Sequence, residues 1–205
     1  MHLNIQMKNG MKNFLFLFLA VAMFSCTPKQ EQASEPQPSK SAVVYDNIMS
    51  RRSIRAYKPE QVSKAQLDTI MQSAINAPSA RNLQSWEVRV IQSPEMLAKI
   101  REINANFAYG APTVIVIAKD KANAFSDVDC GIMAQNIQLM AEAMNLGTCV
   151  LGKMSGIPEK PEAKDIMAAL EIPETHEVTF AIALGHKDQS PEAKPRDAGK
   201  VKYVN

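Results

Sequence analysis

The sequence predicts one folded domain, an α/β or α+β fold built around a single covered sheet. After residue 42, segments with apolar residues at helical spacing alternate with four short segments of strand character. One strand segment, TVIVIA at 113–118, is apolar throughout, as expected for a strand covered on both faces. The residues from Ala42 to Asn205 are enough for one domain with a substantial core.

Local signals define the elements in the first half of this domain. Ser63 and Gln66 form a capping box at the start of one helix. Ser93 and Pro94 begin another, because proline suits the first helical position. The alternation of apolar and polar residues in WEVRVI indicates a strand. The predicted elements are helices at 42–50, 63–76 and 93–103, a loop at 76–82 and a strand at 86–91.

The second half begins with the longest apolar segment, residues 127–147. It predicts a helix that ends at Gly147, because glycine is the common residue after a helix end. A helix with so many apolar residues is expected at the centre of the domain or under a second subunit. The polar segment after His186 has no core of its own. The remaining predicted elements are strands at 113–118, 148–152 and 178–185 and a helix at 161–170.

Residues 1–25 have the layout of a lipoprotein-type signal peptide. Lys12 precedes an apolar run from Phe14 to Phe24, which is shorter than the roughly 20 residues of a transmembrane helix. The serine before Cys26 resembles the cleavage box of bacterial lipoproteins, although Phe24 departs from its strictest form. An ordinary signal peptide with an incidental cysteine is the alternative. We expect Cys26 to be lipidated and the protein to be exported and membrane-anchored, at the periplasmic or outer-membrane face.

Residues 26–41 are predicted to form a disordered tether after the lipidated cysteine, because they contain no large apolar residue after Cys26 and three prolines. Removal of residues 1–25 deletes Lys8 and Lys12 and leaves 21 basic and 21 acidic side chains. A neutral mature protein gives no reason to expect a nucleic acid partner. The predicted organisation is a signal peptide at 1–25, a tether at 26–41 and a folded domain at 42–205.

Cysteine and histidine are scarce in the folded domain. Cys130 and Cys149 lie in apolar helix and strand patterns, which favours buried thiols. A disulfide between them is the alternative in an exported chain. The three histidines, His2, His176 and His186, lack the spacing of metal ligands, so no metal site is predicted.

Residues 50–57, SRRSIRAY, place three arginines within five positions. The planar guanidinium group matches the oxygen atoms of carboxylates and phosphates. An anion site is therefore one interpretation. The other is a solvated charge cluster that pairs with acids such as Glu60, and composition alone favours this second interpretation.

Five segments resemble the FMN-dependent nitroreductase family in their order and spacing. They are SRRSIRAY, NAPSARNLQSW, YGAPTVIVIA, DCGIMAQNIQLMAEAMNLGTCVLG, and ALGHK with a downstream KPR. The resemblance runs from Val44 to Arg196. It implies a nitroreductase-like α+β fold with three layers, in which helices flank a covered, mainly antiparallel central sheet. It also implies FMN as the cofactor and a homodimer with FMN at the subunit interface.

The resemblance answers the question of the anion, since it implies that the anion is the phosphate of FMN, held by Arg51 and Ser53 with Arg52 beside them. Arg55 matches the basic residue beside N1 and O2 of the flavin, where a fixed cation stabilises the negative charge of the reduced form. The residues that match phosphate ligands or lie beside them are Arg51, Arg52, Ser53, Lys194 and Arg196.

The loop at 76–82 matches a part of the family that reaches the flavin of the neighbouring subunit. Pro78, Ser79 and Asn82 occupy the matching positions, with Gln84 close by. Ser85 replaces the proline that usually precedes the tryptophan, which leaves the course of this loop open.

Two further pairs have family counterparts. Leu151 and Gly152 match the stretch whose backbone faces the flavin near N5. Phe107 and Tyr109 fall near the substrate-gating region of the family, although aromatic residues before a strand are more often part of the core.

The resemblance implies a two-step oxidoreductase. NAD(P)H reduces FMN, and a small conjugated acceptor such as a nitroaromatic or a quinone then takes the electrons. No separate glycine-rich nucleotide motif is present, as expected if the donor stacks on the flavin. Because NAD(P)H is cytoplasmic and the chain lacks a twin-arginine signal, a lipoprotein that binds flavin with another electron donor or none remains the alternative. A cofactor-free scaffold is disfavoured, since it would not need Arg51, Ser53 and Arg55 together.

Overall fold

Four strands form one antiparallel sheet at the centre of the structure, a computed structural model that describes residues 37–204. Their spatial order is first, second, fourth, third, and every neighbouring pair is antiparallel. The predicted signal peptide, Cys26 and the tether up to residue 36 lie outside the described residues. In chain order the strands are β1 (Trp86–Ile91), β2 (Thr113–Asp120), β3 (Leu146–Gly152) and β4 (His176–His186).

Helices cover both faces of this sheet. The α-helices in the described part of the chain are α1 (Lys40–Ser50), α2 (Lys64–Ile75), α3 (Pro94–Ile103), α4 (Ser126–Ala143) and α5 (Lys164–Ala169). Helices α2 and α4 pack on one face, and α3 and α5 on the other. The predicted capping box of α2 and the Ser93 cap of α3 are both present. None of the helices described is long and apolar enough to cross a membrane.

Strand β2 shows why the run TVIVIA is apolar throughout. Val114 and Val116 pack toward α3 and α5, while Ile115 and Ile117 pack toward α2 and α4. All four side chains are fully buried. Successive side chains of a strand point to opposite faces, so a strand between two helical layers has no solvent-exposed side. The predicted three-layer α+β fold is confirmed.

The end of α4 differs from the prediction. The helix ends at Ala143 and not at Gly147, and Asn145 makes the turn with a left-handed backbone (φ 57°). Gly147 is the second residue of β3 instead. A Cβ atom at Gly147 would lie 2.7 Å from Cγ1 of Ile54, so the glycine permits a close approach between two segments. The prediction was wrong because glycine is common both after helix ends and where two segments approach closely, and only the packing distinguishes these two roles.

Smaller differences concern other element ends. The helix predicted at 161–170 is a 3-10 turn at Pro161–Ala163 followed by the short α5. Helix α1 begins at Lys40, before the predicted domain start, because the side chain of Ser39 caps it through the backbone N–H of Ala42. No residue of α1 is buried in the single chain.

Candidate functional site

The residues that follow α1, here called the arginine segment (51–58), run in extended form beside the sheet. The backbone N–H of Ile54 donates to the carbonyl oxygen of Thr148 in β3 at 2.8 Å, and that of Lys58 donates to His186 at the end of β4 at 3.0 Å. The side chain of Ile54 is only 2% exposed. The segment is therefore anchored to two strands and to the core.

The guanidinium groups of the arginine segment have no acidic partner among the described residues. Arg52 donates to the carbonyl oxygen of Met49 at 2.6 Å. The pairing with Glu60 that the charge-cluster interpretation expected is absent, since the Glu60 carboxylate lies 3.9 Å from the His186 ring. Three clustered cations without a counter-charge create a local positive potential that favours an anion.

Arg51 reaches across to the long helix α4. Its guanidinium lies 3.4 Å from Oε1 of Gln138, a residue that is 9% exposed. Ser53 forms a β-bridge with Thr148 and is half-buried. Contacts with the sheet and with α4 thus restrain both Arg51 and Ser53, which are two residues apart in the arginine segment.

Arg55 lies over an aromatic ring. Its guanidinium carbon is 5.7 Å from the ring centroid of Tyr109 in the 3-10 turn Phe107–Gly110. A hydrogen bond with Tyr109 is the main cause that raises the pKa of Arg55 above its ordinary value. Phe107 is buried in the core, whereas Tyr109 is 42% exposed. The sequence left open whether Phe107 and Tyr109 belong to the core or to the site. Phe107 belongs to the core, and Tyr109 contacts Arg55.

Both cysteines of the domain are free and buried, so the alternative of a disulfide between Cys130 and Cys149 is excluded. Burial raises the pKa of Cys130 to about 11, with Asp127 and Asp129 adding to the shift. Burial also raises the pKa of Cys149, but the nearby arginines of the arginine segment oppose this rise. Across the described residues, no group of three His, Cys, Asp or Glu side chains is placed to hold a metal ion.

The loop at 78–84 is exposed and held at its base. The backbone N–H of Ala80 donates to the Asp129 carboxylate of α4 at 3.1 Å, and the N–H of Gln84 donates to Oγ of Ser79 at 3.0 Å. Pro78, Asn82 and Gln84 are exposed, and Ser79 is half-buried. Left-handed backbone occurs at Arg81, Asn82 and Gln84.

Ser85, which stands where the family usually has proline, ends this loop. It is 7% exposed, and its hydroxyl accepts a hydrogen bond from Nδ2 of Asn123 at 2.7 Å. Its carbonyl oxygen accepts from the backbone N–H of Asp120 at 3.1 Å. The serine therefore connects the loop to the segment between β2 and α4.

Within the chain, the loop at 78–84 and the arginine segment contact different parts of α4. The loop is anchored at Asp129 and Arg51 contacts Gln138. At 1.5 Å of rise per residue, these two α4 positions are about 14 Å apart along the helix. The loop residues and the arginine segment thus lie at separate places on α4 and do not form one cluster.

The remaining predicted residues lie in two other places. Leu151 and Gly152 end β3, where the Leu151 side chain is buried and Gly152 is exposed. Lys194 and Arg196 are exposed, and Arg196 donates to the carbonyl oxygens of Lys194 and Pro195 at 3.2 Å. The hydrogen bonds of Arg196 therefore stay within its own part of the tail.

Sequence reasoning missed the two α4 residues that support these groups. Asp129 and Gln138 are buried polar residues in a mainly apolar helix. Buried polar side chains are usually hydrogen-bonded, and here each contacts one of the predicted groups. The sequence signal for both residues is a polar side chain at a core-facing position of the helical pattern.

The chain is similar in sequence to a known protein family and to several of its members. It matches the Nitroreductase family over residues 48–107 and 98–186. The NADPH-flavin oxidoreductase of Vibrio harveyi is 30% identical over 169 residues, covering 74% of this chain and 68% of the relative. The FMN reductase [NAD(P)H] of Bacillus subtilis is 27% identical over 177 residues, covering 75% of this chain and 69% of the relative.

A solved structure gives the same result for the fold. A nitroreductase with bound FMN from Desulfitobacterium hafniense superposes with a TM-score of 0.71 at 26% identity. The superposition covers 79% of this chain and 98% of the other. The family and the fold that the sequence motifs predicted are both confirmed: the chain belongs to the nitroreductase family.

Proposed function

We propose that this protein is an FMN-dependent oxidoreductase that takes electrons from NAD(P)H and passes them to a nitroaromatic, a quinone or a similar small conjugated acceptor. The observation that carries the proposal is the arginine segment, which is anchored to the sheet and has no acidic partner among the described residues. Family membership and the flavin-dependent relatives support it.

The residues present fit the phosphate group of FMN. Arg51 supplies a guanidinium and Ser53 a hydroxyl, with Arg52 beside them, and this combination suits a phosphate dianion. Lys194 and Arg196 supply a second pair of cations from the tail. The buried Ile54 side chain and the backbone hydrogen bonds anchor the segment that carries Arg51 and Ser53.

The flavin ring has a separate set of residues. Arg55 is protonated, as arginine side chains in proteins always are, and provides a fixed positive charge for the N1 and O2 edge. The backbone of Leu151 and Gly152 at the end of β3 offers hydrogen-bonding groups toward N5. When bound, FMN supplies the two-electron chemistry that links a hydride donor to an acceptor.

The complete site is formed in a homodimer, in which Pro78, Ser79, Asn82 and Gln84 reach the flavin of the partner subunit. The resemblance of this loop to the part of the family that reaches the flavin of the neighbouring subunit supports this arrangement. A single chain also exposes apolar side chains that a second copy would cover. They include Val43, Val44 and Ile48 of α1, Val128 and Ile132 of α4, and Leu83 and Phe125.

The protein is an exported lipoprotein attached to the membrane through lipid on Cys26. The apolar run from Phe14 to Phe24 and the serine before the cysteine support this. Cys26→Ala should move the protein from the membrane fraction to the soluble fraction. A wild-type protein that is already soluble would contradict lipidation without affecting the proposed chemistry.

The test of the activity uses the soluble domain from residue 37 onward, which retains the Ser39 cap of α1. The purified dimer should show the visible absorbance of bound FMN. Anaerobic addition of NADH or NADPH should bleach it, and addition of a quinone should restore it. A protein without flavin, and without affinity for added FMN, would refute the proposal.

The second candidate is a lipoprotein that binds FMN and uses another electron donor or none. The predicted export of the chain favours it, because NAD(P)H is a cytoplasmic metabolite. The same experiment separates the two functions. Bound FMN that is bleached by dithionite but not by NADH or NADPH would identify the second candidate.

A further inference from the structure

The turn that presents Tyr109 has an unusual backbone. Ala108, Tyr109 and Gly110 are all left-handed, with φ values of 55°, 53° and 74°. This conformation is unfavourable for residues with a side chain, and it persists where the surroundings impose it. Here Phe107 and Ala108 are almost fully buried and anchor the turn in the core. The buried residues thus fix the position from which the Tyr109 ring projects.

The ring of Tyr109 contacts the Arg55 side chain. Arg55 is exposed, and its guanidinium makes no ion pair in the described part of the chain. Its guanidinium carbon lies 5.7 Å from the Tyr109 ring centroid, within the range of a cation–π interaction. A long, exposed arginine would otherwise sample many rotamers. Tyr109 is thus the aromatic partner that restricts Arg55.

The backbone before Arg55 is restrained independently. The hydroxyl of Tyr57 donates to the carbonyl oxygen of Ile54 at 2.6 Å. The base of the Arg55 side chain is therefore fixed by the arginine segment, and its charged end by Tyr109. Neither restraint uses a carboxylate, so the guanidinium keeps its charge uncompensated.

We propose that Tyr109 is a positioning residue that holds the Arg55 guanidinium at the N1 and O2 edge of FMN and so raises the reduction potential of the bound cofactor. The inference rests on the proposed function. A cation that is already held in place before reduction stabilises the added negative charge more than a mobile cation does. The reason is that no conformational entropy has to be lost when the charge appears. Tyr109 acts through Arg55 and needs no contact with the substrate.

A purely structural role would give a different pattern. Tyr109 is 42% exposed, and the buried parts of the turn belong to Phe107 and Ala108. Replacement of the Tyr109 ring therefore leaves the core packing in place. The thermal stability of the protein without FMN should change little, while the reduction potential changes.

The experiment compares the midpoint potential of bound FMN in the wild type, Tyr109→Leu and Tyr109→Phe. Loss of the aromatic ring should lower the affinity for reduced relative to oxidised FMN by about two- to fivefold. For a two-electron couple this equals a potential lower by roughly 10 to 20 mV. Tyr109→Phe keeps the ring and should lie between the wild type and Tyr109→Leu. Tyr203→Leu, at an exposed tyrosine of the tail, is the matched control and should leave the potential unchanged.

A double-mutant cycle tests whether Tyr109 acts through Arg55. In the Arg55→Ala background, Tyr109→Leu should produce no further change in potential. An unchanged potential in the single Tyr109→Leu variant overturns the inference. A full-sized effect that persists without Arg55 overturns it as well.

A measurement without cofactor separates this inference from the proposed function. In the protein free of FMN, the Nε–Hε resonance of Arg55 should show a ring-current shift that Tyr109→Leu removes. If the wild type binds no FMN, the proposed function and this inference both fall. If FMN binds but the resonance and the potential are insensitive to Tyr109→Leu, only the inference falls.

Discussion

The arginine segment and the C-terminal tail (189–204) both carry basic residues proposed to hold the same phosphate, but the fold restrains them differently. In the arginine segment, the buried Ile54 donates a backbone hydrogen bond to β3, and Lys58 donates one to the end of β4. In the tail, Lys194 and Arg196 are exposed, and the hydrogen bonds of Arg196 go to neighbouring carbonyl groups.

The difference shows that equal charges need not contribute equally to binding. A side chain on an anchored backbone loses little conformational freedom when the ligand arrives, whereas a loose segment must be ordered at that moment. The arginine segment should therefore provide most of the phosphate affinity, and the tail a smaller part. Substitutions in the two regions test this ranking.

Gly147→Ala should release the arginine segment from the sheet. The added methyl group would lie 2.7 to 2.8 Å from three carbon atoms of Ile54, which is buried and has no room to move away. Overpacking of this kind costs about 3 kcal/mol. Chemical denaturation should report this loss, and the affinity for FMN should fall with it.

The matched control is Gly152→Ala in the same strand, where an added Cβ atom meets nothing within 4 Å. Its stability, measured without FMN, should equal that of the wild type. Equal stability of both variants would mean that the contact between Ile54 and β3 does not anchor the segment.

Arg51→Ala should weaken FMN binding by about 1.5 to 3 kcal/mol, the usual contribution of a hydrogen bond to a charged group. Titration calorimetry or flavin fluorescence would give the dissociation constants. Riboflavin lacks the phosphate and should bind the wild type and the variant equally.

Lys64→Ala controls for the loss of one positive charge, because Lys64 is an exposed α2 residue paired with Asp68. It should leave FMN affinity unchanged. An Arg51→Ala variant with wild-type affinity for FMN would remove the phosphate role from the arginine segment.

The pKa values of the two buried thiols differ in their response to the arginines, because Cys149 lies near the arginine segment and Cys130 does not. The pKa of Cys130 is raised from 9.0 to about 11, so the folded state holds the thiol proton more tightly than the unfolded state. The resulting stability is complete below pH 9 and is lost as the pH rises toward 11, at up to about 1.4 kcal/mol per pH unit. Cys130→Ala should flatten this part of the stability profile.

Cys149 lies beside the arginines, which oppose the rise of its pKa. Removal of the Arg55 charge in Arg55→Ala should therefore raise the pKa of Cys149 further and slow its alkylation at alkaline pH. The pKa of Cys130, for which Arg55 is not among the causes of the shift, should stay the same.

The smallest effect is expected from the tail. Lys194→Ala and Arg196→Ala should each weaken FMN binding by about 0.5 to 1 kcal/mol, because exposed charges act through water and ions. The effect should shrink as the salt concentration rises. A loss as large as that of Arg51→Ala would mean that the tail becomes ordered around the cofactor and that the ranking is reversed.

The elements with a strong repeating pattern were predicted from the sequence. The capping box of α2, the Pro94 start of α3 and the apolar run of β2 all have local causes, and the structure places them as predicted. The end of α4 at Ala143 was missed, because the helix is stopped by the left-handed Asn145 and not by Gly147. Asparagine is a weaker stop signal than glycine, so the pattern pointed to the wrong residue.

By itself the sequence determined the family and, through it, the α+β class, because the order and spacing of the five motifs are properties of the chain alone. It also predicted the arginine segment as an anion site. Only the tertiary structure decided what surrounds these residues. It showed that Glu60 faces His186 and not the arginines, that Tyr109 meets Arg55, and that Asp129 anchors the loop at 78–84. These contacts join segments far apart in sequence, and they depend on how the sheet and α4 bring those segments together.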